Sequence, residues 1–188
     1  MDVDEDEDIA PLGWVPLDGR GSLPFALVHG ESLVAAASWA LGEAGAQLFD
    51  ASVSFETVRG SGRTLLLHDP LCPLAPADFL RGAADLCAET GRVVVGYRPV
   101  TDTVKVRDGD QLGATVDRAG LRATATPVVI PPGVLADLDT LETADFPALV
   151  AELALRGEIA WIEAPPLGRR IADEADLAVL EALSRSYV

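Results

Sequence analysis

Lysine is nearly missing from this sequence. Lys105, in "PVTDTVK" (99–105), is the one lysine among 188 residues, against thirteen arginines. A codon bias toward arginine accounts for the thirteen but leaves unexplained the exception beside Thr101, Asp102 and Thr103. Positive charge as a whole is scarce: 14 basic residues face 30 acidic ones, a formal net charge of −16. A phosphate backbone or an anionic membrane needs a basic face to displace its counterions, so no nucleic acid and no membrane is expected as a partner. Six of the acids fall in the opening "MDVDEDED", and the rest of the chain still carries 24 acidic against 14 basic residues. Such a run reads as a solvated, disordered tail over residues 1–9. Any phosphate-binding site must therefore concentrate cations locally.

Cysteine is equally sparse. Cys72 and Cys87 fit no metal-ligand spacing, and they are expected as free thiols in a reducing compartment. Long apolar runs are missing too. "SLVAAASWAL" (32–41) is too short and too interrupted to span a bilayer, and the acidic start has none of the character of a signal peptide. The expected location is the cytoplasm. Without internal repeats or a linker-like stretch past the tail, residues 10–188 are expected to form one domain, for which 49% hydrophobic residues are ample.

What is present alternates between strand and helix patterns. "GWVPL" (13–17) is short and apolar, and "ESLVAAASWALGEAG" (31–45) has a helical pattern with Ser32 placed to cap it. "TLLLHD" (64–69) reads as a strand buried on both faces. "APADFLRGAADLCAETG" (75–91) puts Phe79, Leu80, Ala83, Leu86 and Cys87 on one helical face, with Gly91 as the stop. "RVVVGY" (92–97) returns as a strand, and strand–helix–strand at this spacing predicts a crossover within a parallel sheet. "DTVKVRDGDQLGATV" (102–116) differs: two alternating segments around Asp108-Gly109 predict a hairpin projecting from that sheet. "RATATPVVI" (122–130), helical stretches to about 157, a strand at 159–165 and a helix at 173–187 lined by Leu177, Leu180 and Leu183 complete the chain.

Taken singly, the polar residues in these stretches are ambiguous. Thr101 and Thr103 suit a strand simply as β-branched residues. Arg118 beside Asp117 reads as a solvated pair. Asp69 ends a buried strand, where open α/β sheets bind ligands, and His68 next to it reads as a packing residue.

Three stretches taken together narrow the choice: "LLLHDPLCP" (65–73), "PVTDTVK…GATVDRAGLRATATP" (99–127) and "GRRIADEADLAVLEAL" (168–183). In order and spacing they resemble the 2-C-methyl-D-erythritol 4-phosphate cytidylyltransferases. The resemblance is clearest over about 64–127. It implies an α/β, Rossmann-like nucleotidyltransferase fold of the nucleotide-diphospho-sugar transferase kind, mainly parallel, with a β-hairpin dimerisation arm at about 99–121. It implies transfer of CMP from CTP to a polyol phosphate such as methylerythritol phosphate, on the route to isoprenoid precursors, with Mg²⁺ neutralising charge and pyrophosphate leaving. The arm would hook around a second subunit of a homodimer and bring Thr103 to the acceptor. Arg118 would hold the acceptor's phosphate, Thr126 would make a further acceptor contact, and Arg170 stands where the family has a lysine near the reacting phosphates. Asp69 matches the catalytic carboxylate beside the metal. Lys105 belongs to the arm signature without a chemical role.

The nucleotide side departs from the family. There a long glycine-rich loop ending in proline-lysine cradles the triphosphate with backbone amides and cations. In "WVPLDGRGSLPFALVHGESLV" (14–34) only Gly19, Arg20 and Gly21 remain as a nucleotide-binding stub, Asp18 adds negative charge, and Pro24-Phe25 replaces proline-lysine. Cys72 takes the place of an arginine that follows the family's aspartate, and the arginine-serine motif near the base is absent. Three functions remain open on this reading: a cytidylyltransferase with impaired activity; a non-catalytic homologue acting as a binding or regulatory partner through its arm; and a transferase with a changed nucleotide or acceptor.

Overall fold

Leu65, Leu66 and Leu67 have no exposed surface, and a strand made of them can only run through the centre of a sheet covered on both faces. The computed structural model describes residues 9–185. In chain order it contains β1 (Leu12–Trp14), a small hairpin of β2 (Leu27–Val28) and β3 (Glu31–Ser32), α1 (Leu33–Glu43), β4 (Gln47–Leu48), α2 (Phe55–Arg59), β5 (Leu65–Leu67) and α3 (Ala77–Thr90). There follow β6 (Val93–Pro99), a second hairpin of β7 (Val104–Asp108) and β8 (Gln111–Val116), β9 (Arg122–Ile130), α4 (Pro132–Ala136), α5 (Phe146–Ala154), β10 (Ile159–Glu163) and α6 (Glu174–Ser184). Of the expected acidic leader, residues 1–8 lie outside the described residues.

The central sheet has the order β10-β6-β9-β5-β1-β4. Its β1–β4, β1–β5 and β10–β6 pairs are parallel, so the sheet is mainly parallel as expected, but β9 runs antiparallel to both neighbours. The strand–helix–strand unit of β5, α3 and β6 was expected as a crossover within a parallel sheet. The two strands are parallel to each other, but β9 lies between them because the chain reverses at the projecting hairpin before it re-enters the sheet.

Alternation along these strands builds two core layers. Leu65, Leu67, Val93, Val95, Val128 and Ile130 face α5 and the α4 region, where Leu135, Leu138, Leu149 and Leu153 meet them. Leu66, Val94 and Val129 face α1 and α3, against Leu41, Leu80, Ala83 and Cys87. Each fully buried leucine contributes on the order of 1.5–3 kcal/mol. A third cluster of Val28, Leu33, Leu71, Ile171, Leu177 and Leu180 anchors α6 beside the β2–β3 hairpin. Leu183 departs from expectation: it is 40% exposed, and Ser184 takes the buried position in that turn.

Local signals act as expected. Ser32 caps α1 by accepting from the Ala35 amide, and Gly91 ends α3 with φ +63°. Gly109 (φ +59°) turns the β7–β8 hairpin, whose two strands pair with each other alone among the described strands. Gly96 serves the sheet itself. β6 and β9 shift register between Val95 and Tyr97, and a Cβ on Gly96 would lie 1.9 Å from the Thr126 carbonyl oxygen. Among the described residues no helix is long and apolar enough to cross a membrane.

Candidate functional site

The site is centred on the carboxylate that follows β5. His68 continues the β1–β5 pairing by donating its amide to the Trp14 carbonyl (3.0 Å), so Asp69 emerges at the C-terminal edge of the sheet. One carboxylate oxygen, Oδ1, accepts from Arg20 Nε at 2.8 Å and from the Leu71 amide at 3.0 Å; the other, Oδ2, accepts from Arg170 Nε at 2.9 Å. Burial alone would raise the Asp69 pKa, but the Arg20 charge and the hydrogen bonds from Arg20, Leu71 and Arg170 outweigh it and hold the group below the ordinary carboxylate value. An ionised carboxylate with both oxygens engaged is an anchor rather than a proton acceptor.

Arg20 is placed by its own loop. Gly19 (φ +74°) and Gly21 (φ +57°) bracket it, and Gly19 packs so close to Ala144 that a Cβ would come within 2.9 Å of that residue. The turn folds inward. Besides Asp69, the guanidinium donates to the Asp18 carbonyl (2.6 Å) and the Thr143 carbonyl (3.0 Å), and it stacks 5.1 Å from the centroid of the Phe146 ring. The stub expected to cradle a triphosphate thus has its cation committed to protein groups. Phe25, where the resemblance calls for a lysine, is 58% exposed. A cavity of about 350 Å³ opens at the end of β1 and β4, with Trp14, Leu17, Asp18, Phe49 and Asp50 on its walls and, among the described residues, no arginine or lysine lining it.

Behind Asp69 lies a buried polar pair. His68 Nδ1 sits 2.5 Å from Thr126 Oγ1, and the same hydroxyl accepts from the Asp69 amide at 3.3 Å. Burial drives the His68 pKa down to about 4 against the opposing pull of the Asp69 charge, so the imidazole is neutral near pH 7. Among the described residues its Nε2 finds no hydrogen-bond partner. Thr126 was expected to touch the acceptor. It is fully buried and its hydroxyl is taken by His68 and the Asp69 backbone, so in this arrangement it positions Asp69 from beneath. Thr124 is the threonine of β9 that reaches open space, lining a cavity of about 250 Å³ with Arg20, Asp69, Phe146 and Arg170, and also the adjoining cleft on the far side of Arg170. The Thr-x-Thr repeat in "ATATP" is the signal that could have drawn attention to it.

Asp69, Arg20, Gly19, Gly21 and Arg170 are therefore brought together. Thr103 and Arg118 are not part of this group. Thr103 is exposed on the arm and lines neither cavity; its expected role is toward a second subunit. Arg118 borders a different cleft of about 450 Å³ with Tyr97 and Arg122, and its guanidinium donates to the Thr101 carbonyl. Magnesium, implied by the resemblance, does not fit the donor set as it stands: both Asp69 oxygens are engaged by arginines, and among the described residues no group of three His, Cys, Asp or Glu side chains could hold a metal. Cys72, beside Asp69, is buried with its thiol pKa pushed up by burial and by the Asp69 charge, which keeps it protonated and inert.

No protein-family model matches the chain. It is 29% identical over 138 residues to the 2-C-methyl-D-erythritol 4-phosphate cytidylyltransferase of Bacillus licheniformis, covering 69% of this chain and 58% of that protein. To the enzyme of the same name from Halorhodospira halophila it is 36% identical over 117 residues, covering 59% and 44%. The chain thus spans about half the length of these curated relatives. The crystal structure of 2-C-methyl-D-erythritol 4-phosphate cytidylyltransferase from Thermus thermophilus superimposes with a TM-score of 0.71 at 22% identity, over 94% of this chain and all of that one, which establishes a common fold.

Proposed function

We propose that the chain, which belongs to the 2-C-methyl-D-erythritol 4-phosphate cytidylyltransferase family, engages a polyol phosphate such as methylerythritol phosphate and transfers CMP to it from CTP slowly or not at all. In the reaction of this class an acceptor phosphate oxygen attacks the α-phosphorus of CTP, a new P–O bond forms, the bond to the β-phosphate breaks and pyrophosphate leaves. Catalysis of that kind is positioning plus charge stabilisation. The chain's own contribution is Arg170, which is half exposed beside Asp69 and free to meet a phosphoryl group with its terminal nitrogens.

One observation carries the reading of weak transfer: Arg20, the remaining cation of the shortened loop, is buried and held by Asp69, Asp18 and Thr143. Loss of one well-placed electrostatic donor costs on the order of 10²- to 10³-fold in rate. The cavity beside the shortened loop, walled by Asp18 and Asp50, has no arginine or lysine among its described lining residues. Calorimetric titration with CTP and Mg²⁺, paired with a pyrophosphate-release assay, tests this. A silent CTP titration with measurable polyol-phosphate binding is expected. Micromolar CTP affinity with steady pyrophosphate release overturns it.

A second reading, a non-catalytic partner working through the arm of a cytoplasmic homodimer, draws on the β7–β8 hairpin, which pairs with no other described strand and exposes Val106 and Leu112. Subunit exchange with a complete homologue, followed by rescue of that homologue's activity, is its test; failure to exchange removes it.

A further inference from the structure

Three oxygens from three segments of the chain converge on one buried guanidinium. Arg20 donates through Nε to Asp69 Oδ1 at 2.8 Å and through Nη1 to the carbonyls of Asp18 at 2.6 Å and Thr143 at 3.0 Å, and its side chain is 1% exposed. A carboxylate and two backbone carbonyls are the kind of oxygen set that hard cations take. Here the cation among them is a covalent part of the chain. It is held from other sides too, by the Phe146 ring at 5.1 Å and by a loop whose Gly19 lies against Ala144. Arg170 donates to the second oxygen, Asp69 Oδ2, at 2.9 Å, so the two guanidinium groups bring Asp69 the same two positive charges that a divalent ion would bring. Asp145, the other carboxylate on the wall of the adjoining 250 Å³ cavity, caps α5 by accepting from the Ala148 amide at 3.1 Å.

We propose that Arg20 is the resident cation of this site, standing where a divalent ion would otherwise bind Asp69, and that the chain takes its phosphate ligand free of metal. The first half stands on the geometry alone; the second rests on the acceptor reading above. Magnesium demands a near-octahedral set of oxygens at about 2.0–2.1 Å. Asp69 Oδ1 already accepts from Arg20 and from the Leu71 amide, so an ion entering there must first expel a buried guanidinium from all three of its oxygen partners. Hydrogen bonds to a charged group in such a setting are costly to break. An ion approaching Oδ2 meets Arg170 instead, whose like charge repels it. Where a metal and a phosphate share a site, each changes the other's affinity by the same factor, typically about 5–150-fold. With Arg20 fixed among the oxygens that coupling is lost, and phosphate binding becomes indifferent to divalent ions.

Manganese(II) added to the isotope-labelled native chain gives a local readout, because an ion bound at Asp69 broadens the amide signals of Asp69 and Leu71. Both signals are expected to keep their widths at equimolar Mn²⁺, and their selective broadening overturns the proposal. Arg20→Ala removes the guanidinium from among the three oxygens and is expected to gain the site: Mn²⁺ then broadens both amides and raises the melting temperature by more than in the native chain. A folded Arg20→Ala that gains neither effect shows that Arg20 does not hold the ion's place. Should that variant fail to fold, two measurements on the native chain carry the test, the manganese titration and calorimetry with erythritol 4-phosphate in EDTA and in excess Mg²⁺. Affinities within about two-fold of each other are expected, and binding about ten-fold tighter with Mg²⁺ overturns the second half of the proposal. If erythritol 4-phosphate binds in neither buffer, the acceptor reading falls and takes that half with it, while the manganese titration still decides the first.

Discussion

Arg20 Nε lies 2.8 Å from Asp69 Oδ1, and the two side chains are only 1% and 3% exposed. A buried pair of this kind is weak evidence of net stabilisation, but breaking it is costly, because the surviving charge stays in a low-dielectric setting. Arg20→Met is therefore expected to destabilise the protein by about 3–5 kcal/mol. Asp69→Asn strands Arg20 in the same way, while Arg170, half exposed, is left to water. The double variant Arg20→Met with Asp69→Asn is expected to lose less than the sum of its parts. Urea unfolding of the four proteins measures this, and strictly additive losses would show that the pair is not coupled.

His68 sets a distinct acid sensitivity. Its folded pKa, about 4, is below the 6.5 of an unfolded histidine. The unfolded chain therefore takes up a proton that the native one refuses. The stability due to the neutral imidazole is fully present above pH 6.5 and declines as pH falls toward 4, by about 3 kcal/mol in total. Asp69 has the opposite chemistry but loses stability in the same direction: its depressed pKa helps at pH values above the ordinary carboxylate value and is lost below it. The two windows separate on a denaturation midpoint measured from pH 7.5 to 3.5. A flat midpoint between 6.5 and 4.5, or an identical slope in His68→Gln, overturns the assignment to His68.

Much of the scaffold was legible because its signals are local. Ser32 caps a helix three residues on, Gly91 ends one, Asp108-Gly109 turns a hairpin, and three leucines in a row demand burial on both sides. The place of Asp69 was legible for the same reason, since it follows that strand at the edge of the sheet where open α/β folds bind ligands. The environment of Arg20 was not, because it is set by Thr143 and Phe146, more than 120 residues away, and no spacing in the glycine stub predicts that the turn folds inward onto them. The place of β9 between β5 and β6 is equally non-local. Thr126 was singled out by the resemblance alone, and a strand pattern gives the face of a side chain but not its depth: two positions apart on β9, Thr126 is buried beneath Asp69 and Thr124 opens to the cleft. Leu183 was misplaced by extending a three-residue step too far along α6, where the buried position passes to Ser184.

Gly96 and Gly82 are expected to respond in opposite ways to alanine. At Gly96 the added Cβ meets the Thr126 carbonyl oxygen at 1.9 Å, a backbone atom that cannot yield without moving β9. Gly96→Ala should cost several kcal/mol and, by displacing Thr126, disturb the Asp69 carboxylate. Gly82 lies exposed within α3 with nothing within 4 Å of the added atom, so Gly82→Ala should stabilise by about 0.5–1 kcal/mol. Thermal melts of both variants decide the matter. A tolerated Gly96→Ala would mean that the register shift at this point of the sheet is not enforced by backbone contact.

The β7–β8 hairpin makes the strongest demand on a second copy of the chain. A two-stranded ribbon without a sheet or helix against it is marginal in water, and this one exposes Val106 at 50% and Leu112 at 74%. Packing against another subunit would cover both side chains and order the ribbon, and the expected role of Thr103 depends on that contact. Light scattering is therefore expected to give twice the 19.7 kDa chain mass at micromolar concentration. Val106→Asp with Leu112→Asp places two unpaired charges in the contact, where desolvation penalises them, while leaving the six-stranded sheet untouched. That variant should run as a monomer with an unchanged far-ultraviolet spectrum and lose polyol-phosphate binding with the dimer. A native chain that is monomeric throughout this range removes the in-trans role of Thr103, and a double variant that stays dimeric shifts the interface away from the hairpin.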